Sequence, residues 1–258
     1  MNKKIFSENC NLSSYTTIKV GGVAEYFAEP RNLDEFSYLI KWAILNKHRC
    51  QIIGAGSNLL INNIFINGLV ICTKKMKSLT IEPNSGIVEA EAGVMLPTLS
   101  NLLAKNGLQG GEWAVGIPGT LGGAIYMNAG TGNLSLAKNL ISVKVINNKT
   151  HEKLEIAKKD INFEYRFSSF QKNDLTIISA ILHFEPNGNL EQLIETTKNN
   201  LKLKTEKQPY HQPSFGSVFK NPKNNYAAKL IDDMGLKGFK VGDAEAVSYT
   251  HLTLPTKA

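Results

Sequence analysis

Apolar residues recur along this chain in two periods, and the changes between them outline its elements. Phe36, Leu39, Ile40, Ala43 and Ile44 fall at i, i+3, i+4, i+7 and i+8, the spacing of one helix face, with Asp34 placed to cap it. Before that helix, Thr16–Val20 and Val23–Ala28 flank Gly21-Gly22 and read as strand, glycine turn, strand. After it, Cys50-Gln51-Ile52-Ile53 is a short apolar run suited to a buried strand, which completes a β-α-β arrangement. Leu69 to Glu91 is strand-like, broken by a turn at Pro83-Asn84-Ser85-Gly86. Pro97 opens a short helix carrying Leu99, Leu102 and Leu103, and Gly107 ends it. Strands follow at Ile141–Ile146 and Thr176–Phe184. Composition shifts at Pro186-Asn187-Gly188. Beyond it, Asn189 and Gln192 form a capping pair for a helix with Leu190, Leu193, Ile194, Thr197 and Leu201. A last helix runs from about Tyr226 to Met234 and stops at Gly235. The pattern predicts an α+β chain with no internal repeat, a larger region first and a smaller module after residue 186.

Two glycine-rich stretches interrupt this periodicity. Gly116 to Gly130 reads GIPGTLGGAIYMNAG, with Ile117, Leu121 and Ile125 set among the glycines, so it is no flexible linker. A backbone this bare lets a ligand approach closely; a tight turn between buried strands is the plainer alternative. The run at Cys50–Ile53 empties into Gly54-Ala55-Gly56-Ser57-Asn58, whose successive N–H groups are suited to a concave nest for phosphate oxygens. A dinucleotide fingerprint of the G-x-G-x-x-G type is disfavoured, because Leu59 stands where the third glycine belongs and Leu60-Ile61 extend as an apolar run. One nest and one flat wall suit a large cofactor with both a diphosphate and an aromatic ring system.

The bulk properties narrow the classes. With 258 residues, 42% hydrophobic and 20% charged, the chain has the composition of a globular protein. No apolar run approaches the roughly 20 residues that span a bilayer, and no apolar segment follows the lysines at the start, so cytoplasmic residence is expected. Cys10, Cys50 and Cys72 are odd in number and widely spaced, as befits unpaired thiols. The formal charge of +7 is spread over scattered lysines without a basic stripe or interleaved aromatics, which argues against nucleic acid. Only Arg31, Arg49 and Arg166 are arginines among 29 basic residues, so each marks a place that needs a planar donor.

Arg166 sits in Phe163-Glu164-Tyr165-Arg166-Phe167-Ser168, where aromatic neighbours strengthen a charge-assisted pair with a carboxylate; a structural ion pair remains the plain alternative. Ser217 follows Gly216 in a loop flanked by Pro213 and Pro222, suited to a nucleophile, a proton donor or an ordinary turn. No G-x-S-x-G elbow is present, and His48, His151, His183 and His211 have no metal-ligand spacing.

The four segments GAGSNLL, GIPGTLGGAIYMNAG, FEYRFSSF and PSFGSVFKNP occur in this order, and together they resemble the UDP-N-acetylenolpyruvoylglucosamine reductase family from about Asn11 to Glu245. The chain is similar to the shorter form of that family, without its extra tyrosine-bearing loop. The resemblance implies an FAD fold of the PCMH type in two α+β subdomains, at 1–72 and 73–186, and a smaller α+β substrate-binding domain at 187–245. It implies FAD as cofactor, NADPH as hydride donor, a UDP-sugar substrate and a monomeric enzyme of peptidoglycan precursor synthesis. By the same resemblance, Gly54, Ala55, Gly56, Ser57, Asn58, Gly116, Gly119, Thr120, Gly122, Gly123 and Ala124 line FAD. Arg166 stabilises the charge that develops on the substrate, and Ser217 delivers a proton. Tyr165, Lys220 and Asn221 face the sugar nucleotide. Another PCMH-type flavoprotein, or a non-catalytic FAD- or nucleotide-binding protein, is the competing expectation.

The end of the chain departs from that pattern. The family has a glutamate near its carboxy terminus that shares the charge-stabilising task, whereas Ala246 to Ala258 contain no Asp or Glu. Val247 to Thr256 also resembles the translation of a transposon-end sequencing adapter, so residues 246–258 are expected to be non-native.

Overall fold

The computed structural model describes residues 5–208, 212–247 and 251–253. Its first unit comprises β1 (Phe6–Asn11), β2 (Val23–Ala28), α1 (Leu33–Leu45), β3 (Cys50–Ile53) and β4 (Phe65–Cys72). The sheet order is β1-β2-β4-β3, with β1 antiparallel at one edge and the other three strands parallel. Strand period explains the two clusters around it: in β4, Leu69 and Ile71 face the α1 residues Phe36, Leu39 and Ile40, while Val70 and Cys72 face Leu12 and Phe27. Ile44, the last residue of the expected apolar stripe, lies at the edge and is 37% exposed.

Three expectations need correction. Thr16–Val20 is not a strand: Lys19 adopts φ +58° and the Thr16 hydroxyl donates to Val20 O at 2.8 Å, closing a loop. The antiparallel partner of β2 is β1, whose mostly polar sequence lies on an exposed edge and carries no alternation. The cap of α1 is Asn32, whose side chain accepts from the Glu35 N–H, and Asp34 lies inside the first turn.

The second unit contains β5 (Leu79–Glu82), β6 (Ile87–Glu91), α2 (Leu96–Lys105), α3 (Leu121–Tyr126), β7 (Gly130–Thr131), β8 (Leu134–Ser135), β9 (Leu140–Asn147), β10 (Lys153–Ala157), β11 (Phe163–Glu164), β12 (Phe167–Ser168) and β13 (Leu175–His183). Five of these strands form an antiparallel sheet in the order β10-β9-β13-β6-β5. Val143, Val145, Ala180 and Leu182 point to one face and pack with Leu96, Leu99 and Leu103 of α2 and Leu121 and Ile125 of α3. Ile146 and Ile178 point the other way and join the cluster under α1. One sheet therefore supplies apolar surface to both units, which fixes the junction between them. The glycine stretch is not a flat wall throughout, because residues 121–126 wind into α3 behind Thr120, whose hydroxyl caps the Gly123 N–H. Gly122 is needed there: a Cβ would stand 2.9 Å from the Ala92 Cβ.

The helix α4 (Leu190–Lys207) is capped by Asn189, which accepts from the Gln192 N–H, and it packs on α2. Then come β14 (Ser214–Ser217), α5 (Ala227–Asp233), β15 (Lys240–Val241), β16 (Ala244–Val247) and β17 (His251–Thr253), with sheet order β14-β17-β16-β15. Among the described residues, no helix is long and apolar enough to cross a membrane.

Candidate active site

The nest lies at the carboxyl ends of parallel strands β3 and β4, where open α/β sheets present ligand sites. The Thr73 hydroxyl donates to Ile53 O at 3.3 Å and the Cys72 thiol to Gly54 O at 3.5 Å, so β4 anchors the strand that feeds the turn. Gly56 adopts φ +67°, and a Cβ there would stand 2.0 Å from Tyr15 O. Gly56 O in turn accepts from the Thr17 N–H at 3.2 Å. Only glycine fits this geometry.

The two glycine stretches meet. The Ser57 hydroxyl donates to Pro118 O at 2.7 Å, and a Cβ on Gly54 would stand 2.3 Å from the Thr120 hydroxyl oxygen. Leu121 and Gly122 donate their N–H groups to Val94 O at 2.8 Å and Ala92 O at 2.9 Å, so backbone contacts hold the start of α3. Between the stretches lies a cavity of about 510 Å³. Its lining includes Gly54 to Asn58, Gly116 to Thr120 and Gly122 to Ala124, which are all the residues expected to touch FAD. Main-chain edges bare of Cβ atoms are what a large planar ring and a diphosphate require, so the residues present fit the cofactor.

Arg166 and Ser217 line the same cavity, although 51 positions separate their numbers. Arg166 is the second residue of the tight turn joining β11 to β12, and it is held at φ +56°. A non-glycine residue in the left-handed region costs about 1 kcal/mol or more, so the turn keeps this arginine against its backbone preference. Its guanidinium donates to Gly130 O at 3.0 Å and lies 5.1 Å from the Tyr165 ring centroid. Ser217 is aimed by Gly216, which adopts φ +80° and whose N–H donates to the Ser214 hydroxyl at 3.1 Å. A Cβ on Gly216 would lie 3.8 Å from Ser57 O, so this strand runs beside the nest.

Tyr165, Lys220 and Asn221 are not in the cavity lining. Tyr165 is 54% exposed and acts as the platform beside Arg166. Lys220 is exposed, and the Asn221 side chain accepts from the Ala227 N–H at 3.1 Å, at the start of α5. Sequence reading missed Lys204, which lines the cavity from α4. A signal was available: Leu193, Thr197 and Lys204 lie at i, i+4 and i+11, so the lysine continues the buried face of the helix. Burial, and secondarily the charge of Arg166, lowers its pKa. Among the described residues, no group of three or more His, Cys, Asp or Glu could hold a metal ion.

Comparison with known proteins agrees with this geometry. Residues 24–152 match the FAD binding domain family, and residues 208–254 match the family described as UDP-N-acetylenolpyruvoylglucosamine reductase, C-terminal domain. A UDP-N-acetylenolpyruvoylglucosamine reductase of Prochlorococcus marinus subsp. pastoris is 71% identical over 240 residues, which is 93% of this chain and 81% of that protein. The chain belongs to the UDP-N-acetylenolpyruvoylglucosamine reductase family. Another relative of that name, from a different Prochlorococcus marinus strain, is 44% identical over 95% of this chain and 84% of its own length. The crystal structure of the Thermus caldophilus reductase superposes with a TM-score of 0.82 at 28% identity, covering 96% of this chain and 88% of that one. A Phl p 4 variant, a glucose oxidase, shares the fold alone, with a TM-score of 0.54 and 13% identity over 72% of this chain. The family is one of FAD-dependent oxidoreductases of peptidoglycan precursor synthesis. The C-terminal domain match continues to residue 254, through part of the adapter-like segment, and β17 lies in that part.

Proposed function

We propose that this chain reduces UDP-N-acetylglucosamine enolpyruvate to UDP-N-acetylmuramate, with FAD as cofactor and NADPH as hydride donor. The observation that carries this is the convergence of Arg166 and Ser217 on the cavity formed by the two glycine stretches. The chemistry FAD supplies when bound is hydride transfer, from NADPH to the methylene carbon of the enol ether. As that C–H bond forms, the electron pair of the C=C bond moves to the neighbouring carbon and its carboxylate. The Arg166 guanidinium, fixed by Gly130 O and the Tyr165 ring, is a preorganised positive group for that charge. The Ser217 hydroxyl gives its proton to the neighbouring carbon, which forms the second C–H bond. Serine is a weak acid, so this step needs a strongly basic carbon, and a solvent relay returns the proton to the oxygen. Gly54, Gly56 and Gly119 keep the nest and wall open to the diphosphate and ring system of the cofactor.

Tyr165, Lys220 and Asn221 face the sugar nucleotide in this scheme. The diphosphate-bearing end then lies toward the loop after β14. Units at 1–72, 73–186 and 187–245 divide the work between cofactor and substrate. NADPH and a UDP-sugar place the reaction in the cytoplasm, and a monomer suffices because both proposed catalytic residues come from one chain. Anaerobic mixing tests the scheme: NADPH reduces the bound flavin, and the enolpyruvyl sugar then reoxidises it stoichiometrically. Reoxidation by glucose or hydroxy acids, but not by the sugar nucleotide, would favour another PCMH-type oxidoreductase.

A further inference from the structure

The cavity holds a second positive group for which the proposed chemistry has no role. Lys204 leaves α4 on the same face as Leu193 and Thr197, which are 8% and 2% exposed, so the helix directs it inward. Its stem lies on Gly116, where a Cβ would stand 2.6 Å from the lysine Cγ and 2.9 Å from its Cβ. That glycine therefore makes room for the methylenes of Lys204. The lysine is half-buried, lines the cavity with Arg166, and is close enough to feel its charge. No acidic residue is among the described residues of that lining. Two cations in one partly desolvated cavity repel each other, and an anion that reaches both relieves that repulsion.

We propose that Lys204 is a specificity-determining residue that pairs with Arg166 across the carboxylate of the acidic sugar nucleotide. This assignment rests on the function proposed above and deepens it. A carboxylate has two oxygens. Arg166 takes it from the turn between β11 and β12, and Lys204 takes it from α4, on the side of Gly116. The arginine, already committed to Gly130 O through one nitrogen, keeps its other donors for the ligand. A ligand without the carboxylate leaves the pair of cations uncompensated, so the cavity selects for the acidic sugar nucleotide against its neutral-sugar counterpart. Lys204 acts in both directions of binding, on substrate and on product alike, since both carry the carboxylate.

Calorimetric binding of two probes to the FAD-loaded 258-residue protein tests this: UDP-N-acetylmuramate, which carries the carboxylate, and UDP-N-acetylglucosamine, which does not. K204M preserves the stem on Gly116 and removes the charge. It is expected to weaken UDP-N-acetylmuramate about ten- to a hundredfold, the scale of a lost charge-assisted contact, and to leave UDP-N-acetylglucosamine within about twofold. K204R restores most of the loss. Melting temperature of each variant serves as the folding control, and loss of bound flavin at an unchanged melting temperature would assign Lys204 to the cofactor's diphosphate and overturn the proposal. Equal weakening of both probes would assign Lys204 to the diphosphate and overturn the proposal. Unchanged affinity for both would reduce it to packing and overturn it as well. If neither probe bound the wild-type protein, the function itself would fail, a result distinct from either of those.

Discussion

The flavin-facing part of the molecule and the part beyond residue 212 are built to different standards. The first carries three clusters of buried apolar side chains, in which Phe36, Leu69, Leu96, Leu103 and Phe170 are no more than 2% exposed. In the second, Pro213 and Ala227 are the buried apolar residues among those whose burial is described, while Tyr226, Met234, Phe239 and Val241 are 68%, 65%, 57% and 70% exposed. Ser217 stands at the border, on a strand that leans on the nest and continues into the thinly packed sheet. Closely packed walls line the cofactor cavity, and a thinly cored segment carries Ser217. Most of the stability resides in the first, because stability follows buried apolar area.

The largest effect that would break this comparison is in amide exchange. Amides of β9 and β13 are expected to exchange only with global unfolding, while those of α5 exchange through local opening, a difference of several kcal/mol in opening free energy. Equal protection in α5 and β13 would mean that the second part is as firmly packed as the first. Half-reactions sharpen the same contrast. Ser217→Ala is expected to slow reoxidation by substrate by about 10²- to 10⁴-fold and to leave reduction by NADPH unchanged, measured by flavin absorbance in anaerobic stopped flow. Loss of both half-reactions together would show that the strand carrying Ser217 belongs to the flavin site.

Smaller effects test the walls themselves. Gly54→Ala places a methyl group 2.3 Å from the Thr120 hydroxyl oxygen, and is expected to cost about 1–3 kcal/mol of stability and most of the bound flavin. Arg166→Gly relieves a left-handed backbone but loses the bond to Gly130 O, so its stability should move by no more than about 1 kcal/mol while reoxidation collapses. A large fall in melting temperature would make Arg166 a structural residue.

The smallest effect concerns Cys50, whose thiol burial pushes up to about 12 from an ordinary 9.0. A raised pKa in the folded state contributes stability below pH 9.0 that is lost as pH rises towards 12. At pH 8, Cys50 should therefore alkylate far more slowly in the native protein than in the unfolded chain, as mass spectrometry of labelled peptides can follow.

Much of the first part was legible in the sequence because its apolar periods are regular. The stripe of α1, except Ile44 at its edge, and the runs at Cys50–Ile53 and Thr176–Phe184 bury the faces that their spacing indicated. Strand β1 was not legible, since an edge strand with one exposed side need not alternate. Helix α3 was hidden for the opposite reason: its glycines, needed for contact with Ala92 and for the cavity, are poor helix formers. At the site, glycines announced the walls, but nothing local revealed that a lysine on a helix of mostly polar residues would reach the same cavity. Only the phase of Lys204 with Leu193 and Thr197 carried that information. Asn221 shows the reverse, a residue placed near the sugar nucleotide by its motif and engaged at the start of α5 in the structure.

On this reading the two glycine stretches build a flavin site that works independently of the thinly cored segment beyond it. Anaerobic stopped flow on the purified 258-residue chain tests this most directly, with flavin absorbance followed first after NADPH and then after the enolpyruvyl sugar. Bound flavin that NADPH reduces completely and that the enolpyruvyl sugar then reoxidises is the expected result. Protein that purifies without flavin and takes none up, or reduced flavin that the enolpyruvyl sugar leaves reduced, would contradict this.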